Sequence, residues 1–477
     1  MSWQDGSNTK AVIAHIFKGE NLAWLLLFLF SLPAFEFQLG NTIDANIRLI
    51  QNLNFATNPA ALFASHLPQG PLSFLQYPLP LGGNLSIALL YYALIKLGIL
   101  TFLRKRLRGS LPAMILYATI YLLIAPRLLP LCLVVFLLFS EGDKPAFSWV
   151  NIAILSLVLV LLYTRLSLGI LAGAMWFVSL LFASVAKGFS IKDALQRLLL
   201  LVLLLALFLT PYLFFASLEV VLSRFWALLN VNATYGLIEL NLTFFASLAL
   251  LLAFAFMLFG TISIGPLRAL ALKPHQKAQA FVLVLYALLY FRSRPEAGTY
   301  YVVLNFILIF FFALQAVHSR QLWKAMAIWL AAALLVGEAF LAQGSFKTTE
   351  LRLGAFFSQV LKPQAYRESF RKDNFALRNI LPAKTTYTVL SANFTDHLLE
   401  ENQLLTSPSY IPQLAQNSLS DSLNAVFFTG LRAPNYLLSQ DAQERVFASL
   451  PQSRAAFEQH YQFLRKEGGL SVYYKKE

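Results

Sequence analysis

Charge is what this chain has least of. Only 13% of its 477 residues are Asp, Glu, Lys or Arg, about half the share found in soluble domains, while 58% are hydrophobic and the mean hydropathy is +0.63. A water-soluble fold of this size could not hide so much Leu, Phe and Ala, so lipid is expected to be its main solvent. Cysteine is almost missing as well: the single Cys132 lies in an apolar run and excludes an intrachain disulfide. The six histidines, His15, His66, His275, His318, His397 and His460, are scattered without His-x-x-x-His or Cys spacing, so no zinc cluster is legible. No Gly-rich phosphate loop occurs, which argues against an ATP-driven pump. There is no repeat of fixed period, and no small-residue cleavage site follows the first apolar segment, as expected of a retained signal anchor.

What is present is a series of apolar runs. At roughly 20 apolar residues per crossing, spans are expected near 22–39, 84–103, 111–126, 128–140, 146–164, 167–187, 195–216, 242–263, 279–292, 300–317 and 323–342, about eleven in all. The short pair 111–126 and 128–140 flanks Ala125-Pro126-Arg127 and reads equally as a hairpin with its tip below the outer surface. The net charge of +14 sits largely in short loops and does not point to nucleic acid. Lys10 and Lys18, the run Arg104 to Arg108, Lys187 with Lys192 and Arg197, Arg268 with Lys273 and Lys277, and Arg320 with Lys324 all fall on one side, which the positive-inside rule makes cytoplasmic. An odd number of spans then puts loop 40–83, loop 217–241 and the C-terminal part on the outer side.

From 344 onward charges of both signs appear and apolar runs shorten. Residues 344–477 are therefore expected to form a small extracytoplasmic α/β domain after a membrane domain of residues 1–343. Strands are expected at Thr386–Ala392, Ala425–Phe428, Tyr436–Leu438 and Leu470–Tyr474, with an amphipathic helix over Gln452–Phe463. The fold class is mainly α: a polytopic transmembrane bundle with a C-terminal α/β appendage.

Carboxylates near a bilayer are costly and mark function. Those expected on the outer side are Glu36, Asp44, Glu219, Glu239, Glu296 and Glu338. Loop 40–83 is the richest stretch: Asp44 follows the first span, and Ser65-His66-Leu67-Pro68-Gln69-Gly70-Pro71-Leu72 leads towards the second. Its prolines and apolar anchors predict an ordered platform of short interfacial helices. An acid after the first span, a His/Pro/Gly stretch before the second, and a small-residue span through Leu171-Ala172-Gly173-Ala174 to Lys187 together resemble the GT-C superfamily of membrane glycosyltransferases. Within it, the likeness is to the dolichyl-phosphate-mannose-protein mannosyltransferase and aminoarabinose transferase type. Ala45 stands where that family carries a second acid beside the first, and Glu219 is the candidate to supply it.

The resemblance implies a polyprenyl-phosphate-sugar donor, a glycan, lipid or protein acceptor, and a bacterial inner membrane with the C-terminal domain periplasmic. Such a transfer needs a base for the acceptor hydroxyl and cations for the departing phosphate. Asp44 is the candidate base. His66 and Gln69 are candidate substrate contacts, and Arg127, Arg224, Arg292 and Arg294, at outer span ends, are candidate phosphate ligands because a guanidinium fork matches phosphate oxygens. A single Mg²⁺ or Mn²⁺ on Asp44 and one other carboxylate is compatible with this chemistry. The bland readings are a salt bridge from Asp44 to Arg48, a turn role for His66 and snorkelling arginines. With them go two other functions: a non-catalytic membrane scaffold, or a transporter of a lipid-linked substrate.

Overall fold

The computed structural model describes residues 19–35, 37, 51–52, 55–56, 62–63, 70–107, 111–124, 126–141, 147–186, 191–215, 218, 221–222, 274–293, 305–310, 312–313, 353–374, 381–382, 385–389, 404–405, 425, 428–429, 435–439, 447, 450–467 and 470–476. These are mainly helical, with one small sheet. The helices of the apolar part are α1 (Gly19–Ser31), α2 (Asn84–Arg106), α3 (Leu111–Leu123), α4 (Leu129–Glu141), α5 (Trp149–Thr164), α6 (Leu166–Ala186), α7 (Ile191–Phe215) and α8 (Pro274–Ser293). Residues 305–310 and 312–313 are helical too. The expected spans 242–263 and 323–342, and the boundary between 343 and 344, lie outside the described residues.

By length and composition, two of the described helices are long and apolar enough to cross a membrane: Asn84–Arg106, with 23 residues, and Leu195–Phe215, with 21. A third span is added if Ala113–Tyr121 and Pro126–Ser140 count as one, although the chain bends there by 118°. Proline explains the break, because it removes a backbone donor and disfavours helix in the residue before it. The apolar side chains that face inward form one continuous core built on Phe136, Met175, Trp176, Phe306 and Phe310. Others face outward, among them Leu90, Leu94, Leu198 and Leu199, a distribution that water would penalise and lipid would not.

Polar side chains inside the bundle act as links between helices. Trp176 Nε1 donates to Asn151 Oδ1 at 3.2 Å, and Gln279 donates to Ser179 Oγ. At one end, Arg104 donates to Asn21 Oδ1 at 2.5 Å and Arg106 to the Ser140 carbonyl at 2.8 Å. Gln276 reaches the Phe139 carbonyl at 3.1 Å, and Arg197 the Leu180 carbonyl at 2.8 Å. These bonds gather the basic helix ends in one half of the bundle. The opposite end holds the start of α2, the ends of α5 and α7, and the 3-10 turn Pro126–Leu128. Between α5 and α6 the link is Arg165 alone. Its N–H donates to the Leu161 carbonyl at 2.7 Å, and its own carbonyl accepts from Leu168 and Gly169. Gly169 is required there, since a Cβ would lie 2.4 Å from the Leu162 nitrogen.

The C-terminal part opens with α9 (Leu353–Leu361) and α10 (Pro363–Asn374) and ends in a five-stranded sheet. The strands are β1 (Thr386–Val389), β2 (Leu404–Leu405), β3 (Tyr436–Ser439), β4 (Tyr461–Glu467) and β5 (Leu470–Lys475), in the order β2-β1-β3-β5-β4. β1 runs parallel to β2 and β3, while β5 pairs antiparallel with β3 and β4. The helix α11 (Pro451–His460) packs Phe457 against Phe428, Phe447, Tyr461 and Tyr473. Two expectations need correction. Ala425, Phe428 and Thr429 are helical rather than strand, an error that a short apolar run invites because its period is ambiguous. The helix expected to reach Phe463 stops at His460, because Tyr461 turns extended (φ −123°, ψ 148°) and begins β4.

Candidate functional site

The described part of loop 40–83 is a folded platform. Helical backbone occurs at 51–52, 55–56 and 62–63, and a 3-10 turn at Ser73–Gln76. The His/Pro/Gly stretch is anchored at its end. Leu72 N–H donates at 2.9 Å to the carbonyl of Tyr163, one of the four carbonyls that α5 leaves open at its C-terminus. Gly70 lies so close to that carbonyl that a Cβ would sit 1.9 Å from its oxygen. The glycine of this stretch is therefore required by backbone contact between two distant segments.

From the turn the chain runs through Tyr77-Pro78-Leu79-Pro80 to Gly82, whose φ of +53° suits glycine, and into α2. Asn52 holds this run as a strand would. Its Nδ2 donates to the Tyr77 carbonyl at 3.0 Å, and its Oδ1 accepts from Leu79 N–H at 2.8 Å. Asn84, fully buried at the first turn of α2, donates to the Asn52 carbonyl at 2.9 Å and to its Oδ1 at 3.0 Å. Burial also removes Asn84 as a glycosylation acceptor.

The platform presents Tyr77 to the break between α3 and α4. Arg127 Nη1 donates to the Tyr77 hydroxyl at 2.7 Å. Tyr92, two turns into α2, lies within electrostatic reach of both and packs against Phe35 with ring centres 5.8 Å apart. At the ends of α5 and α7 Phe63 meets Tyr212 and Phe215, at 5.3 and 5.1 Å, and Tyr163 joins Phe208 and Tyr212. A half-buried guanidinium oriented by a phenol suits an oxyanion.

One turn below Tyr92 comes a residue that charge counting overlooked. Lys96 is buried at the middle of α2, donates to the carbonyl of Ser31 and lies 4.5 Å from the centre of the Tyr121 ring. Ser31 closes α1, so the Lys96 side-chain nitrogen caps a helix end within the apolar core. Its hydroxyl donates to the Phe28 carbonyl at 2.7 Å and accepts from Tyr117 at 2.6 Å. Lys96 falls inside the expected span 84–103, where sequence reasoning singled out no residue. The signal was a lone basic residue within a 20-residue apolar run, which by itself marks a functional position.

Of the residues singled out by sequence, Arg127 is the one whose side chain is described. Arg292 lies in the last turn of α8, while Asp44, His66, Gln69, Glu219, Arg224 and Arg294 lie outside the described residues. Among the described residues no group of three or more His, Cys, Asp or Glu gathers, and the carboxylates named for Mg²⁺ or Mn²⁺ lie outside them. Sequence reasoning missed Asn52, Tyr77, Asn84 and Lys96. No protein-family model, no curated protein and no solved structure matches this chain.

Proposed function

We propose that this protein is an integral membrane glycosyltransferase of the GT-C type, moving a sugar from a polyprenyl-phosphate donor to a hydroxyl acceptor at the outer membrane face. The observation that supports the reading is the Arg127–Tyr77 pair, a guanidinium held by the platform that follows the His/Pro/Gly stretch and of a kind that suits phosphate oxygens. Arg127 receives the donor phosphate. Asp44, with Glu219 as second carboxylate, takes the proton of the acceptor hydroxyl, whose oxygen attacks the anomeric carbon as the bond to phosphate oxygen breaks with inversion. His66 and Gln69 contact the substrate, and Arg224, Arg292 and Arg294 complete the cationic rim. The bundle spans a bacterial inner membrane about eleven times, with Arg104 and Arg106 cytoplasmic and residues 344–477 periplasmic. Supporting this orientation, Gln359 of α9 bonds to Phe35 and Phe35 packs on Tyr92, in the half of the bundle away from the basic helix ends.

The test is transfer from a labelled polyprenyl-phosphate sugar by purified protein in liposomes. Asp44→Asn should cut turnover by about 100-fold or more, and Arg127→Ala should raise the donor KM by roughly 10- to 100-fold. Parent-like rates for Asp44→Asn would move the base elsewhere. No transfer by the parent with any lipid-linked donor would leave the scaffold reading in its place.

A further inference from the structure

We propose that α9 is an interfacial helix, one edge clamped to the bundle and the other immersed in the lipid of the outer leaflet. It follows from the membrane reading above and is independent of the reaction. With 9 residues, α9 is roughly 13 Å long and too short to cross the apolar layer. Its sequence is nonetheless strongly two-sided. Gln359, only 3% exposed, uses its side-chain amide as a backbone would: Oε1 accepts from Phe35 N–H at 3.2 Å, and Nε2 donates to the Phe35 carbonyl at 2.7 Å. Ser358 Oγ accepts from the Tyr366 hydroxyl of α10 at 3.1 Å. Phe357, Val360 and Leu361 sit at i, i+3 and i+4 and form one stripe on the side away from Gln359. They are 42%, 44% and 75% exposed.

Water is a poor partner for such a stripe, and two features name lipid as its occupant. First, α9 packs on α1 and α2, whose own outward side chains Leu26, Phe30, Leu90 and Leu94 are exposed and apolar. The stripe thus belongs to a helix packed on elements whose own exposed faces are apolar. Second, Lys362 follows Leu361 at once and is exposed, where an ammonium meets headgroup phosphates while its stem lies along the apolar boundary. If α9 marks the headgroup layer, then Phe35 and Tyr92 lie just beneath it.

Spin labels read this directly. Single cysteines at Phe357, Leu361 and the exposed Gln364 are placed in a Cys132→Ala background and the protein is reconstituted in phosphatidylglycerol-containing liposomes. Labels at 357 and 361 should collide several-fold more often with oxygen than with a water-soluble nickel chelate, and the label at 364 should show the reverse. Nickel accessibility at 357 and 361 equal to that at 364 would overturn the proposal in favour of water. Inaccessibility of both to either reagent would overturn it in favour of a protein cover. All three positions are exposed, so labelling leaves packing intact, and the parent's behaviour on size exclusion checks this. Loss of transfer activity bears on the enzyme reading alone, because the collision data do not depend on it.

Discussion

The hydroxyl of Tyr163 donates to the carbonyl of Leu207 at 2.7 Å, and Leu207 stands four residues before Pro211, inside α7. Proline has no N–H, so that carbonyl loses its helical donor. In an apolar layer without water the loss must be met from elsewhere. Tyr163 meets it from α5, with a second acceptor in the Phe208 carbonyl at 3.1 Å. The same residue, through its own carbonyl, anchors Leu72 of the platform.

This pairing predicts a coupling. Tyr163→Phe alone should lower stability by about 1–2 kcal/mol, the cost of stranding a buried carbonyl. In a Pro211→Ala background, where residue 211 again supplies an N–H, the same change should cost much less. Unfolding in mixed micelles measures the cycle, and equal costs in both backgrounds would show that the hydroxyl matters only for its packing.

Gly70→Ala should displace the platform, since its Cβ would fall within bonding distance of the Tyr163 oxygen. The expected loss is at least about 1–3 kcal/mol of stability, together with loss of any activity that depends on Arg127. Gly19→Ala, with nothing near its Cβ, serves as the control. Parent-like thermal midpoints for both would contradict the close approach.

Lys96→Met asks whether the buried amine is needed for folding. Replacing this buried polar chain by an apolar one of similar length is expected to leave stability within about 1 kcal/mol of the parent, while transfer activity falls. A large drop in the thermal midpoint with activity retained in the folded fraction would instead make Lys96 a structural cap for α1.

Tyr461 gives the C-terminal domain an alkaline limit. Burial pushes its phenol up from the ordinary range, so the folded state favours the protonated form. Its contribution is fully present below the unfolded value of about 10 and is lost as pH rises beyond that. Tyr461→Phe should flatten the loss of stability above that pH. An unchanged slope, followed by tryptophan-independent circular dichroism, would assign the alkaline transition to another group.

Much of the bundle was legible because long apolar runs need no partner to be recognised. The described helices from α1 to α8 overlap expected spans, but α1 stops at Ser31 where a span to residue 39 was expected, and two of them, or three if the bent pair counts as one, are long and apolar enough to cross a membrane. Lys96 escaped because one charge scarcely alters the average over a span, and its partner Ser31 lies 65 residues away. Tyr77 and Asn52 escaped for a related reason: their role exists only once the platform folds back on α2 and on the break at Pro126. Gly70 was seen as a motif residue, but its necessity comes from Tyr163, 93 positions along the chain by the numbering. In the C-terminal domain, alternation located β1, β3 and β5. It failed at Ala425–Phe428, where four apolar residues carry no period, and at Tyr461, where helix passes into strand without a turn residue.

The sheet ends on β4, whose outer edge has no neighbour among the described strands. An unpaired edge invites a second molecule to add a strand, and repeated addition is the route to fibrils. Here the register slips between Phe463 and Arg465, and Arg465 and Lys466 follow side by side. The irregularity spoils the ladder that an incoming strand would need, and charged side chains, Lys466 and the Arg465–Glu467 pair at 2.9 Å, line the edge. That edge of the sheet therefore carries its own protection against strand addition.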